Sequence, residues 1–204
     1  IGHLDVMRYF QKVMRRAEIP IAFTGGFSPH MIMSFASPLG IGLESDGEYL
    51  DIELTEPIAS NEAVRRMNEV DVEGIEVLSF LQIAEEKRMT GMTILAAADY
   101  LVTPKKEILS DAGSAEDKLS PDWKEQFSDF IGQSEIRVMK QTKRSEKEED
   151  LRPLIYDWEF RDDSIFIRTA AGSTENLKPD LVMDTFLKYT GAVSEKADSA
   201  ETAS

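Results

Sequence analysis

Two short runs near the start of the chain hold the residue types that could do chemistry. His3, Asp5 and Arg8 open a first amphipathic segment, and Gly25-Gly26-Phe27-Ser28-Pro29-His30 follows it as a loop. The two histidines matter because imidazole is the side chain whose charge changes near neutral pH. At the start of a helix, free backbone N–H groups also favour an anion. His3 fits two readings equally, an acid–base group or a turn residue held by a hydrogen bond. Asp5 reads first as an N-terminal cap or dipole partner. Arg8 lies within two turns of His3 and is the basic residue expected to meet an anion. Lys12, Arg15 and Arg16 read as an ordinary solvated face.

In the loop, the adjacent Gly25 and Gly26 permit backbone conformations closed to other residues, so N–H groups can converge on a ligand. Ser28 and His30 add a hydroxyl and an imidazole. The plainer reading is a connection between two strands whose glycines serve only the turn. Because the loop follows the strand that leaves the first helix, His3, Arg8 and residues 25–30 are expected around one shared pocket, suited to a single phosphate or carboxylate group. A second cluster, Glu44, Asp46, Glu48, Asp51 and Glu53, carries enough carboxylates for a hard metal ion. It lacks the spacing of a cation loop and reads as a solvated strand face, so no metal is expected.

These residues sit in a 204-residue chain with 42% hydrophobic content, enough to build a core. There is no cysteine, which rules out disulfides, thiolate metal sites and cysteine nucleophiles. No apolar run approaches the ~20 residues of a membrane span, and no secretory signal is visible. Together these point to a cytoplasmic protein without cofactors of its own. The formal net charge of −15 opposes general nucleic-acid binding through the phosphate backbone. The charge is uneven: residues 1–42 hold four basic groups against two acids, and residues 43–95 four against thirteen.

The elements that must position the candidate residues follow from periodicity. Leu4, Met7, Phe10, Met14 and Ala17 recur at helical spacing over residues 4–18, and Pro20 ends the pattern. Ile21–Thr24 and Met31–Ser37 read as extended segments on either side of the loop. Leu50, Ile52 and Leu54 alternate with Asp51 and Glu53 in a strand over Glu48–Leu54. Asn61–Val70 reads as a helix capped by Ser60 or Asn61, and Ile75–Ile83 as a strand. Helix, strand, strand, helix, strand becomes the β-α-β-β-α-β ferredoxin-like order if one strand precedes Ile1.

The second half repeats the theme. Tyr100–Thr103 reads as a strand, Pro121–Ile131 as a helix and Ile136–Thr142 as a strand. Leu154, Tyr156, Trp158 and Phe160 alternate with polar residues, and a turn at Asp162-Asp163-Ser164 leads into Ile165, Ile167 and Thr169. Pro179–Thr190 reads as the last helix. Ser110–Ser120 and Lys143–Asp150 read as loops, and residues 192–204 as a disordered tail. The expected fold is therefore α+β with two ferredoxin-like halves, 1–95 carrying the candidate site and 96–191, the first lacking its N-terminal strand.

The runs Gly2-His3-Leu4-Asp5, Met7-Arg8, Arg15-Arg16-Ala17 and Ile19-Pro20 resemble the opening signature of the bacterial radical S-adenosylmethionine-linked (radical SAM-linked) family. So do Gly26-Phe27-Ser28-Pro29-His30, Ser34-Phe35-Ala36, Pro38-Leu39-Gly40, Gly47-Glu48-Tyr49 and Asp51-Ile52-Glu53. Gly172-Ser173 and Asn176-Leu177-Lys178-Pro179 form a second island. The resemblance implies a radical SAM protein as partner, either alongside or fused, and no established activity. A chain without cysteine would be the accessory half, docking that partner and helping to present its substrate. The alternative is an RNA-binding or RNA-processing protein using His3 or His30, by analogy with tandem ferredoxin-like endoribonucleases. Asp51 and Glu53 oppose base stacking on the first sheet. RNA would then have to use the Gly25 loop and the first helix. A small-molecule enzyme lacks any recognisable nucleophile–base pair.

Overall fold

The computed structural model describes residues 2–37, 39–40, 42–83, 90–105, 119–141, 146–172 and 174–192. It mixes helices and strands in an α+β arrangement and divides into two compact units, Ile1–Leu95 and Ala96–Ser204.

In the first unit, α1 spans His3–Arg16 and buries Val13 and Met14. Leu4 was expected on the core face but stays exposed in the first turn of the helix. Glu18 takes a left-handed conformation (φ 52°) just past the helix, and Ile19 N–H bonds back to the Met14 carbonyl at 3.0 Å. The chain then reverses into a short ladder. β1 (Met33–Phe35) pairs antiparallel with β2 (Leu50–Ile52), and isolated bridges join Ile21 to Leu54 and Phe23 to Met31. Leu50, Ile52 and Leu54 pack on the core of Val13, Met14, Ile19, Ile21, Met31, Ala63 and Met67, which bears out the alternation. The α2 helix covers Ser60–Asn68, with Ala59 at its N-cap and no side-chain capping bond. Neither Ser60 nor Asn61 therefore caps it; Asn61 Oδ1 accepts from the N–H of Glu62 instead.

The expected strand over Ile75–Ile83 is absent. The segment is irregular and no ladder reaches it among the described residues. Its alternating apolar residues had no adjacent strand to pair with, and a lone strand has no stability of its own. A short helix that periodicity did not indicate, α3 (Gly91–Ile94), follows in this unit.

The second unit is built around β7 (Ser164–Ala170), flanked antiparallel by β3 (Ala97–Val102) and β6 (Ile155–Arg161). Helices α4 (Trp123–Ile131) and α5 (Pro179–Tyr189) close one face. Phe127, Phe130, Phe186, Trp158 and Phe160 meet there edge-on or tilted, with ring centroids 5.1–6.1 Å apart. Tyr156 was expected to alternate inward with Trp158 and Phe160 but is exposed. A register irregularity between Ile155 and Asp157 turns Ile155 inward in its place.

The expected Lys143–Asp150 loop is corrected over its described part. Glu146–Asp150 forms β5 and pairs antiparallel with β4 (Arg137–Gln141). Its charges conceal the strand in the sequence, yet they hold it in place: Arg137 meets Glu148 at 3.1 Å and Lys140 meets Glu149 at 3.0 Å across the ladder. The expected loop over Ser110–Ser120 falls almost wholly outside the described residues, as does the tail past residue 192. No helix among the described residues is long and apolar enough to cross a membrane.

Candidate functional site

The hairpin from Phe23 to Met31 positions the loop candidates. Below its closing bridge, Thr24 N–H donates to the His30 carbonyl (2.9 Å), and His30 N–H donates to Thr24 Oγ1 (3.1 Å). The same hydroxyl lies 3.1 Å from His30 Nδ1. Three contacts therefore fix the base of the loop while its tip stands clear. Gly26 has φ +100°, a backbone region that L side chains rarely adopt, and no atom lies within 4 Å of where a Cβ on Gly25 or Gly26 would be. The glycines serve chain reversal and open space. Ser28 and His30 are exposed, and Phe27 is fully exposed, an unusual place for a large aromatic ring.

The helix-start candidates form a separate group. The His3 ring sits edge-on to Phe35 at 6.2 Å, and Phe35 packs in turn on Phe10 at 5.5 Å. Asp5 lies in the first turn of α1, where a carboxylate meets the positive end of the helix dipole. Its Oδ1 lies 3.4 Å from Arg8, and both side chains are largely exposed.

His3 lies beside Phe35 of β1, whereas His30 precedes Met31 at the Phe23–Met31 bridge that closes the hairpin. Among the described residues no hydrogen bond, ion pair or ring contact joins His3, Asp5 or Arg8 to the Gly25–His30 loop.

The acidic strand also behaves differently from a plain solvated face. Asp51 is half-buried and accepts the Gly91 N–H at 2.7 Å, holding the first turn of α3. A Cβ on Gly91 would come within 2.9 Å of the Ala36 Cβ, so only glycine fits there. Among the described residues no group of three or more His, Asp or Glu side chains could hold a metal ion.

Three features went unread in the sequence. Thr24 flanks the loop as His30 does, and its place as a closing partner was available from that symmetry. The Tyr9 hydroxyl donates to Asp71 Oδ1 at 2.8 Å and accepts the Val72 N–H at 3.0 Å, a contact across 62 residues with no local signal. Burial pushes the Asp71 carboxyl and the Tyr9 phenol upward in pKa. The third was visible throughout: residues 19–43 contain no Asp, Glu, Lys or Arg, although 30% of the chain is charged.

The family model described as "Uncharacterized protein conserved in bacteria (DUF2344)" matches residues 1–179. No curated protein and no solved structure matches the chain. With most of its length inside that match, the chain belongs to this family of uncharacterized bacterial proteins.

Proposed function

We propose that this protein is a cytoplasmic accessory module whose charge-free hairpin docks a radical SAM protein and helps present that protein's substrate. The observation that carries the reading is the tip at Gly25–His30. It projects a fully exposed Phe27 from a hydrogen-bonded base, in a run of residues with no charge. Depletion of charge around an exposed aromatic is the composition of an interface core rather than of a solvated turn. A chain without cysteine supplies no thiolate for a cluster, so the radical chemistry would belong to the partner. Ser28 and His30 would then meet a phosphate or carboxylate on the presented substrate. His3, Asp5 and Arg8 would form a separate contact.

The ferredoxin-like reading belongs to the same proposal. In the second unit the chain order β3, α4, β6, β7, α5 with sheet order β3-β7-β6 follows the first five elements of that fold, with the β4–β5 hairpin inserted. In the first unit, two helices packing on one side of the β1–β2 ladder are in keeping with it.

The test is co-expression with a radical SAM protein from the same genome. Wild type should co-purify with it in stoichiometric amounts and without RNA. Phe27→Ala should lose the complex while keeping the wild-type melting temperature, since that ring packs on nothing. Equal capture by wild type and Phe27→Ala would overturn the docking role of the hairpin. Tight binding of a defined RNA with a steep salt slope would replace the proposal with the RNA-binding alternative.

A further inference from the structure

The chain between α2 and α3 presents an apolar segment that no strand pairs with among the described residues. Val72, Ile75, Leu78, Leu81 and Ile83 face solvent, with Leu78 at 67% and Leu81 at 76% exposure. Val77 and Phe80 turn inward against the core of the first unit. Asn68 clamps both main-chain groups of Val77, its Oδ1 accepting from the N–H at 2.7 Å and its Nδ2 donating to the carbonyl at 3.0 Å. The segment is therefore held in place. From Leu78 to Ile83, however, the backbone makes no hydrogen bond to another described residue. Anchored backbone with free N–H and C=O groups and exposed apolar side chains is a template for an added strand.

Charge says what kind of strand. The segment borders a cleft of about 690 Å³ that receives Asp46, Asp71, Glu73 and Glu76 and not one Lys or Arg. Inside it, Asp71 Oδ2 is closed off from solvent and has no hydrogen-bond partner. A second copy of this chain is a poor occupant, because pairing the segment with itself would set Glu73 and Glu76 against the same acids. A basic strand meets each of these features: its backbone pairs with the N–H and C=O groups of residues 78–83, its apolar side chains cover the leucines, and its cations enter the cleft.

We propose that residues 72–83 dock an extended strand of a partner protein in which Lys or Arg alternates with apolar residues. The apolar set covers Ile75, Leu78, Leu81 and Ile83, and the basic set faces Asp71, Glu73 and Glu76. The inference does not depend on the Phe27 hairpin or on which protein that hairpin engages.

The experiment uses the full chain and fluorescein-labelled ten-residue peptides, read by anisotropy and by amide hydrogen exchange. One peptide alternates Lys with Val, a second replaces every Lys with Glu, and a third keeps Lys and Val but N-methylates the pairing amides. The Lys–Val peptide should bind and slow exchange at residues 78–83. The N-methylated peptide should bind about tenfold more weakly, because it cannot donate to the carbonyls of residues 78–83. The Glu peptide should not bind. Glu73→Lys combined with Glu76→Lys should weaken the Lys–Val peptide about tenfold at low salt, and Leu78→Ser with Leu81→Ser should do the same while the melting temperature holds. The proposal is overturned by equal binding of the Glu peptide or by protection that falls outside residues 72–83. Undiminished binding by both double variants overturns it too, as does no binding of the Lys–Val peptide at about 1 mM.

Discussion

Replacing Phe127 with alanine should strongly destabilise the second unit while leaving the first unchanged. Phe127 is fully buried, and its ring meets Phe130, Trp158, Phe160 and Phe186 at 5.1–6.1 Å between centroids. Losing the buried ring removes about 2–3 kcal/mol of transfer free energy. The void of roughly 100 Å³ adds about 2 kcal/mol at ~24 cal/mol per Å³. The sum, about 4–5 kcal/mol, is a large share of a stability of ~5–15 kcal/mol. For a unit of this size it corresponds to a fall of about 20 °C in Tm. Each unit has its own core, since every residue of one hydrophobic cluster lies before Leu95 and every residue of the other after it. Both tryptophans, Trp123 and Trp158, belong to the second, so their fluorescence in a urea titration reports that unit alone. Hydrogen exchange read by mass spectrometry follows α1 and α2 in the same samples. A loss under about 2 kcal/mol would refute the packing argument. Exchange in α1 rising at the same urea concentration as the tryptophan transition would refute the separation of the cores.

Tyr9→Phe takes the one donor from Asp71 and the acceptor from the Val72 N–H, and should cost about 1–3 kcal/mol in a chemical-denaturation series. Asp71→Asn tests the linked titration. Burial raises the Asp71 carboxyl above its ordinary value of 3.8, so the folded state binds that proton more tightly than the unfolded state. The stability this confers is complete below pH 3.8 and is lost as pH rises through the higher folded value. The variant should therefore gain on wild type between pH 4 and 7, and a flat difference across that range would reject the assignment. Glu18→Gly relieves the left-handed residue behind α1 and should stabilise by about 0.5–1 kcal/mol, read from the urea midpoint.

The parts of the fold that could be read from the sequence are those whose pattern and partner are both local. The Met7, Phe10 and Met14 stripe predicts α1, and the alternation through Trp158, Phe160, Ile165 and Ile167 predicts the β6–β7 hairpin, because each brings its own pairing. The strand expected at Ile75–Ile83 failed for the converse reason. Its pattern is local but a ladder partner is not, and alternation alone does not supply one. At β5 the opposite error arose, since Glu146–Asp150 carries no apolar alternation and pairs through charge with residues about ten positions earlier. The Tyr156 side chain was placed inward because a one-residue irregularity reverses facing without leaving a compositional mark.

The candidate site shows the same limit more sharply. Residue type singled out His3 and His30, and both lie on the expected elements, yet where the hairpin lies relative to α1 depends on the direction of one turn. Ile19 bonding back to Met14, together with the Ile21–Leu54 bridge, sets how the chain leaves α1 for the hairpin. No residue in that turn encodes the direction by type. Charge distribution, by contrast, needs no such geometry. At the chain average of 30%, a run of 25 residues would hold about seven charged side chains, and residues 19–43 hold none. The buried strand residues in that run explain part of the depletion; the exposed Phe23, Phe27 and Ser28 fall outside that explanation. Solvent alone places no penalty on charge at an exposed hairpin tip, whereas an apolar partner surface does, through the cost of desolvating it. The proposed docking role accounts for the uncharged tip in a way that the fold supporting it does not.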